Sequence, residues 1–178
     1  MTAHDDTREP SAHPQYLTFL VAGEEHAVGI LRVREILQYA GVTRVPRTPE
    51  WIRGVINLRG SVVPVVDLAV KLGLPPSEDR RSTCVVITEV HIEGEPIVMG
   101  LLTDAVRQVI ELPAQDVQPA PAFGTRVRVD FLLGMGRVGE RLVLLLDVDR
   151  LLSADEIVSA ASAAEALAPT PDALAQAS

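Results

Sequence analysis

Apolar residues near the middle of the chain form two short runs on either side of a charged turn. Residues 55–58 and 62–66 are rich in valine, isoleucine and leucine, and Arg59-Gly60 lies between the runs. The glycine accepts the backbone angles of a tight reversal, so the pattern predicts a β-hairpin with a guanidinium at its tip. Because Pro64 has no N–H to donate, the second strand is predicted to be an edge strand or to carry a bulge.

Similar apolar runs recur at close spacing along most of the chain. They predict strands at 15–21, 83–90, 96–102, 106–112, 131–133 and 141–146. Residues 30–37 differ, because Ile30, Val33, Ile36 and Leu37 follow a helical spacing and predict a short helical turn. Many short strands with brief helices indicate β-barrels or a sandwich.

Two segments of equal length share one order of features. Residues 54–72 and 134–152 each contain a hairpin, a strand, an aspartate and a short helix that carries leucines. Their aspartates, Asp67 and Asp147, follow apolar strands, where catalytic acids also occur, but each precedes a short helix and is predicted to cap it. The repeated pattern suggests two similar barrels.

Composition sets the class of protein. Of 178 residues, 47% are hydrophobic and 22% are charged, which is typical of a globular chain. The net charge of −8 disfavours binding to a nucleic acid. The single cysteine cannot form an internal disulfide, and no apolar run is long enough to insert into a membrane. With no secretory signal at its start, the chain is predicted to be soluble and cytoplasmic.

No catalytic constellation is present in the sequence. The four histidines lack a second histidine or cysteine at metal-ligand spacing, and the glycines of residues 134–139 fit a hairpin better than a dinucleotide site. His26 is predicted to pack on a half-buried strand. We therefore predict no enzyme activity, cofactor or metal site. A peptide- or helix-binding module and a structural subunit of a larger assembly both remain open.

Residues 54–68 resemble the signature of CheW-type chemotaxis coupling proteins. Further segments match that family in order and with its spacing, namely 28–36, 48–54, 100–106, 119–123 and 146–152. The resemblance covers residues 15–155, between an N-terminal tail of residues 1–14 and residues 156–178, which are predicted to form a short helix and a disordered tail. His26 departs from the family, where an aromatic residue is frequent.

The resemblance implies an all-β fold of two intertwined five-stranded SH3-like β-barrels with short connecting helices and a shared core. It also implies a non-catalytic adaptor that links the cytoplasmic tips of methyl-accepting chemoreceptors to the regulatory domain of the histidine kinase CheA. Such a protein is expected in the cytoplasm, associated with membrane-bound receptor arrays through its partners.

The resemblance also assigns residues to each partner. Ile30, Val33, Glu35 and Arg59 match receptor-binding positions, and Phe123 matches a position at a kinase contact. Arg59 is then better explained as part of a docking surface than as a solvated turn charge. A free-standing SH3-like peptide-binding module remains an alternative, as does a coupler for pilus motility or development.

Overall fold

The computed structural model describes residues 13–92, 94–119 and 129–151, and strands dominate this part of the chain. The strands are β1 Gln15–Val21, β2 Glu24–Gly29, β3 Val33–Gln38, β4 Ile52–Leu58, β5 Ser61–Asp67, β6 Cys84–Ile92, β7 Glu95–Thr103, β8 Ala105–Glu111, β9 Val117–Gln118, β10 Leu132–Val138 and β11 Arg141–Leu146. The helices are α1 Leu68–Lys71 and α2 Val148–Leu151, with single 3-10 turns at Ile30–Arg32, Ala114–Asp116 and Val129–Phe131.

The strands form two sheets that interleave along the chain. The order β3-β6-β7-β5-β4 makes the first sheet, barrel 1, and β8-β1-β2-β11-β10-β9 makes the second, barrel 2. The chain therefore starts in barrel 2, crosses to build all of barrel 1, and returns to complete barrel 2. The prediction of two intertwined SH3-like barrels is confirmed, with one sheet of five strands and one of six.

The two sheets repeat one pattern of pairing. Each joins two hairpins through a parallel pair, β5 with β7 in barrel 1 and β11 with β2 in barrel 2. In both barrels the hairpin that precedes the short helix has a register shift near its start, at Gly54 in β4 and at Gly134 in β10. The correspondence suggested by residues 54–72 and 134–152 therefore extends over the whole of each barrel.

The sixth strand of barrel 2 has a reduced counterpart in barrel 1. Strand β9 pairs with β10, and in barrel 1 Thr43 alone forms an isolated bridge with Val55 of β4. The bridge consists of two backbone hydrogen bonds of 2.8 and 2.9 Å. At both places a glycine allows the close approach, because a Cβ on Gly54 would lie 2.5 Å from the Thr43 oxygen and one on Gly134 would lie 2.6 Å from the Gln118 oxygen.

Three apolar clusters fill the described part of the molecule. The shared core joins buried side chains of both barrels, among them Phe19, Val66, Leu101, Phe131 and Leu146. The interior of barrel 1 holds Val63, Val65, Val85, Ile87 and Leu102. The interior of barrel 2 holds Ala27, Leu112, Val143 and Leu145. The largest cluster lies between the barrels, so apolar burial holds them together as one unit.

The helical turn predicted for residues 30–37 is wrong beyond its first residues. Only Ile30–Arg32 forms a 3-10 turn, and β3 begins at Val33. Side-chain burial in β3 alternates from residue to residue, which leaves Ile36 43% exposed. An apolar spacing of three, three and one therefore arose from a turn followed by a strand.

The prediction that Pro64 marks an edge strand or a bulge is also wrong. Strand β5 lies between β7 and β4. Val55, the partner of Pro64, donates its N–H to the Thr43 carbonyl and accepts the Thr43 N–H with its own carbonyl. Neither group is then turned toward β5, so the nitrogen of Pro64 faces away from β4. On the other side, pairing with β7 starts only at Val65. An inner strand therefore accommodates proline at a position where the ladder has no donor to lose.

Candidate functional site

Arg59 lies at the tip of the β4–β5 hairpin, as the sequence predicts. Arg59 and Gly60 have φ values of +53° and +88°, as the two central residues of a type I′ turn require. The Asn57 side-chain oxygen accepts a hydrogen bond of 3.0 Å from the Gly60 N–H and closes the turn. A positive φ is unfavourable for arginine, so turn formation alone does not explain the choice of residue.

Glu35 of β3 binds the Arg59 guanidinium in a two-pronged ion pair. Nη1 donates to Oε2 over 2.6 Å and Nη2 donates to Oε1 over 2.9 Å. The hydrogen bond from Arg59 lowers the pKa of Glu35, and the same bond raises the pKa of Arg59. The Arg59 side chain is still 73% exposed, against 25% for Glu35. Two of the four predicted receptor-binding residues are thus in direct contact, on a surface open to a partner.

The Glu35–Arg59 pair borders a groove that opens onto the apolar interior of barrel 1. The groove has a volume of about 260 Å³, and its lining includes the apolar side chains of Leu58, Val63 and Ile87. An apolar floor beside a fixed ion pair suits a partner with one apolar face and a charged rim.

Ile30 lies in the 3-10 turn before β3, and Val33 begins β3, where barrel 1 meets barrel 2. Both side chains are partly buried and pack on the shared core. Ile30 also lines a groove between the barrels, here called the junction groove, of about 370 Å³. Its lining includes Tyr16, Ile30, Leu31, Arg32, Leu133 and Asp149. The four predicted residues therefore lie on two surfaces that β3 connects.

Two exposed leucines in the junction groove were not among the predicted site residues. Leu31 is 95% exposed and Leu133 is 56% exposed. Leu31 follows the half-buried Ile30, and Leu133 follows the buried Leu132. In the sequence both leucines therefore look like part of a buried apolar run. Alternation of burial along a strand could have identified Leu133, but no periodic signal marks Leu31 in its 3-10 turn.

Two charged residues that line the junction groove, Arg32 and Asp149, belong to a network of five side chains, here called the junction network. Its members are Arg32, Arg34, Glu89, His91 and Asp149. Arg34 pairs with Glu89 across β3 and β6, and its hydrogen bond lowers the pKa of the Glu89 carboxyl. Arg32 pairs with Asp149 of α2. The network thus combines a pair within barrel 1 and a pair that joins the two barrels.

The two candidate acids have structural roles. Asp67 is buried, accepts a 3.4 Å hydrogen bond from the Val70 N–H of α1 and pairs with Arg53 at 3.0 Å. Asp147 accepts a 3.1 Å hydrogen bond from the Asp149 N–H at the start of α2. Both caps agree with the prediction from the sequence.

His26 is fully buried on β2 and stacks on Phe19 at 6.2 Å. Burial lowers its pKa, and a 3.1 Å hydrogen bond between Nδ1 and the Glu24 carbonyl opposes that shift. In the described ranges no three His, Cys, Asp or Glu side chains could together hold a metal ion. None of the described helices is long and apolar enough to cross a membrane.

The predicted kinase-contact residue, Phe123, lies outside the described residues, in the interval between 119 and 129.

Comparisons with known proteins agree on one family. Residues 15–156 match the model of the CheW-like domain. The chemotaxis protein CheW of Klebsiella aerogenes is 38% identical over 143 residues, which cover 80% of this chain and 84% of that protein. CheW of Bacillus subtilis is 31% identical over 157 residues, covering 86% and 96%.

A solved structure has the same fold. The scaffolding protein TtCheW of Thermoanaerobacter tengcongensis superposes with a TM-score of 0.73 at 27% identity. The match covers 86% of this chain and 96% of that protein.

Proposed function

The chain belongs to the CheW-like family of chemotaxis scaffold proteins, and we propose that it couples methyl-accepting chemoreceptors to the histidine kinase CheA. The observation that carries this proposal is the Glu35–Arg59 ion pair beside an apolar groove, at two positions that match the receptor-binding residues of the family. The pair holds a largely exposed guanidinium in one orientation, which suits charge-assisted recognition of a partner.

The junction groove is the proposed apolar part of the receptor site. Its exposed leucines are Leu31, in the turn between the barrels, and Leu133 of barrel 2, and Ile30 lies beside them. An amphipathic helix binds through a row of apolar residues in such a groove, and a receptor segment of that kind would fit it. Val33 supports the groove from below through its contact with the shared core.

We assign the kinase to a second surface. Phe123 is the proposed contact for the regulatory domain of CheA, on the strength of the family match alone. The protein is proposed to act without catalysis, in the cytoplasm, as part of a receptor array. The net charge of −8 argues against nucleic acid as a further partner.

Reconstitution tests the proposal directly. The purified chain is added to CheA, to receptor fragments in vesicles, and to both together, and kinase autophosphorylation is followed in each mixture. We expect a change in kinase activity only when receptor and kinase are both present. Binding to extended peptides with no effect on CheA in the full mixture would instead favour a free-standing peptide-binding module.

A further inference from the structure

The two walls of the junction groove come from distant parts of the chain. Leu31 lies in the 3-10 turn that leads from β2 of barrel 2 into β3 of barrel 1, and Leu133 belongs to β10 of barrel 2. A partner that contacts both leucines is sensitive to the distance between the walls, because apolar side chains gain contact energy only near van der Waals separation. Whatever fixes one barrel against the other beside the groove therefore affects binding.

Asp149 connects the barrels at this place with both of its carboxylate oxygens. It lies in α2, which follows the last strand of barrel 2. Oδ2 pairs with the Arg32 guanidinium, and Oδ1 accepts a 3.1 Å hydrogen bond from the backbone N–H of His91. His91 belongs to β6 of barrel 1, and Arg32 lies in the turn that enters barrel 1, where its Nη1 also donates to the Glu89 carbonyl of β6 over 3.4 Å.

Arg32 is held from a second side. Its Nη1 donates to His91 Nδ1 over 2.8 Å, which requires an unprotonated Nδ1 on a neutral imidazole. The other ring nitrogen of His91 lies 3.3 Å from a Glu89 oxygen. About a third of each side chain is exposed, 34% for Arg32 and 31% for Asp149, so solvent screens this pair less than a fully exposed one.

We infer that the Arg32–Asp149 pair is a positioning element that fixes the two walls of the junction groove against each other. Arg32 and Asp149 also line the groove, so the link lies next to the leucines that it positions. The consequence for receptor affinity rests on the proposed function. The mechanical link between the barrels does not.

The test uses the full chain with Arg32→Gln, Asp149→Asn and the double variant. Arg141→Gln is the matched control, because it removes an arginine whose partner, Glu25, lies in the same barrel, and neither residue lines either groove. Spin labels at Gln38 on β3 and Arg107 on β8, both exposed, report the distance between the barrels when Cys84 is replaced by serine. A soluble receptor hairpin serves as the binding probe.

We expect either single substitution to broaden the distance distribution and to weaken receptor binding about three- to tenfold. The double variant should lose no more than the singles, because all three remove the same link. Arg141→Gln should change neither measurement.

Three results would overturn the inference. One is a distance distribution that stays narrow in both single variants. Another is a loss of receptor affinity in Arg32→Gln but not in Asp149→Asn. The third is a loss in the double variant that equals the sum of the two single losses. Either of these two results would mean that Arg32 contacts the receptor itself and does not act through its pair with Asp149. If the unmodified chain binds no receptor hairpin, the proposed function fails, whereas the distance measurement still decides whether the pair links the barrels.

Discussion

At the scale of single residues, the orientation of Arg59 is set by its ion pair with Glu35 and by the backbone turn, and not by packing in the core. Its guanidinium is bound from one side only, and most of its surface faces solvent. An exposed ion pair of this kind contributes little to the free energy of folding, because the two charges are almost as well stabilised by water when they are apart. It restricts the guanidinium to one direction, which reduces the entropy that a partner's binding would cost.

Arg59→Ala is therefore expected to leave the melting temperature nearly unchanged and to weaken receptor binding about tenfold. The matched control is Arg80→Ala, because the Arg80 side chain is 66% exposed, close to the 73% of Arg59, and pairs with Glu78 in a loop away from both grooves. Thermal melts and titration with a receptor fragment check both variants. Receptor binding that survives Arg59→Ala would identify Arg59 as a solvated turn charge.

His26 makes the stability of barrel 2 depend on pH. Burial lowers the pKa of His26 from its ordinary value of 6.5, so the folded chain binds this proton less readily than the unfolded chain does. The stabilisation is complete above that ordinary value and is lost as the pH falls below it. The free energy of unfolding should then fall by up to about 1.4 kcal/mol per pH unit.

His26→Met is expected to remove this pH dependence. Barrel 1 carries the buried Met99 at the equivalent position, directly before the residue of β7 that pairs with Val65. Urea unfolding at about pH 5 and about pH 7.5 measures the effect. His13→Gln, at an exposed histidine, is the control and should retain the pH dependence. If the profile of His26→Met matched that of the unmodified chain, another group would be responsible.

The sequence located Arg59 but could not identify its partner. A turn is a local feature, and the letters around residue 59 are enough to predict it. Glu35 lies 24 residues earlier, and it reaches Arg59 only because barrel closure brings β3 near the β4–β5 hairpin. The Arg32–Asp149 contact spans 117 residues and was hidden for the same reason.

At the scale of elements, each hairpin that precedes a short helix depends on one glycine. Gly54 and Gly134 have φ values of +155° and +158° and lie against a backbone oxygen of the neighbouring segment. A backbone oxygen cannot rotate away as a flexible side chain can. Any Cβ at these positions has to push the closing segment off the barrel.

Gly54→Ala is expected to lower the free energy of unfolding by about 2–4 kcal/mol, from the clash with Thr43 together with the strained φ. Gly73→Ala separates these causes, because Gly73 has a φ of +82° but no atom within 4 Å of an added Cβ. The Gly73 variant should lose only about 1 kcal/mol. Urea titrations give both values, and equal losses would show that contact with Thr43 does not matter.

Secondary structure was predictable where residues close in sequence determine it, and less so where contacts with distant strands determine it. Hairpins, strands and aspartate caps followed from alternation and from turn residues. The segment 30–37 failed because a 3-10 turn and a strand in succession imitate helical spacing. The prediction for Pro64 failed because an inner strand tolerates proline only where the neighbouring strand does not need its N–H. Here β7 begins to pair with β5 at Val65, one residue later, and this is a property of the assembled sheet.

At the scale of the whole molecule, the proposed function requires two independent surfaces. Phe123→Ala is expected to change folding stability by less than about 1 kcal/mol and to weaken association with CheA by about 2 kcal/mol or more, with receptor binding intact. Phe131→Ala is the matched control, because that ring is buried in the shared core and its loss should cost about 3–5 kcal/mol of stability.

Thermal melts, with separate titrations of kinase and receptor fragment, distinguish the two phenylalanines. A large drop in the melting temperature of Phe123→Ala would place that ring in the core. Equal loss toward both partners would also contradict a contact specific to the kinase.

The interleaved order of the strands has a consequence for synthesis on the ribosome. Barrel 1 uses the uninterrupted stretch β3–β7 and can close as soon as residue 103 has emerged. The hairpin β1–β2 emerges first but finds its parallel partner only in β11, near the end of the described chain. Until then the apolar residues of β1 and β2 have no complete barrel to enter, and they are open to misassociation. Barrel 2 therefore closes last, by joining ends of the chain that were made farthest apart in time.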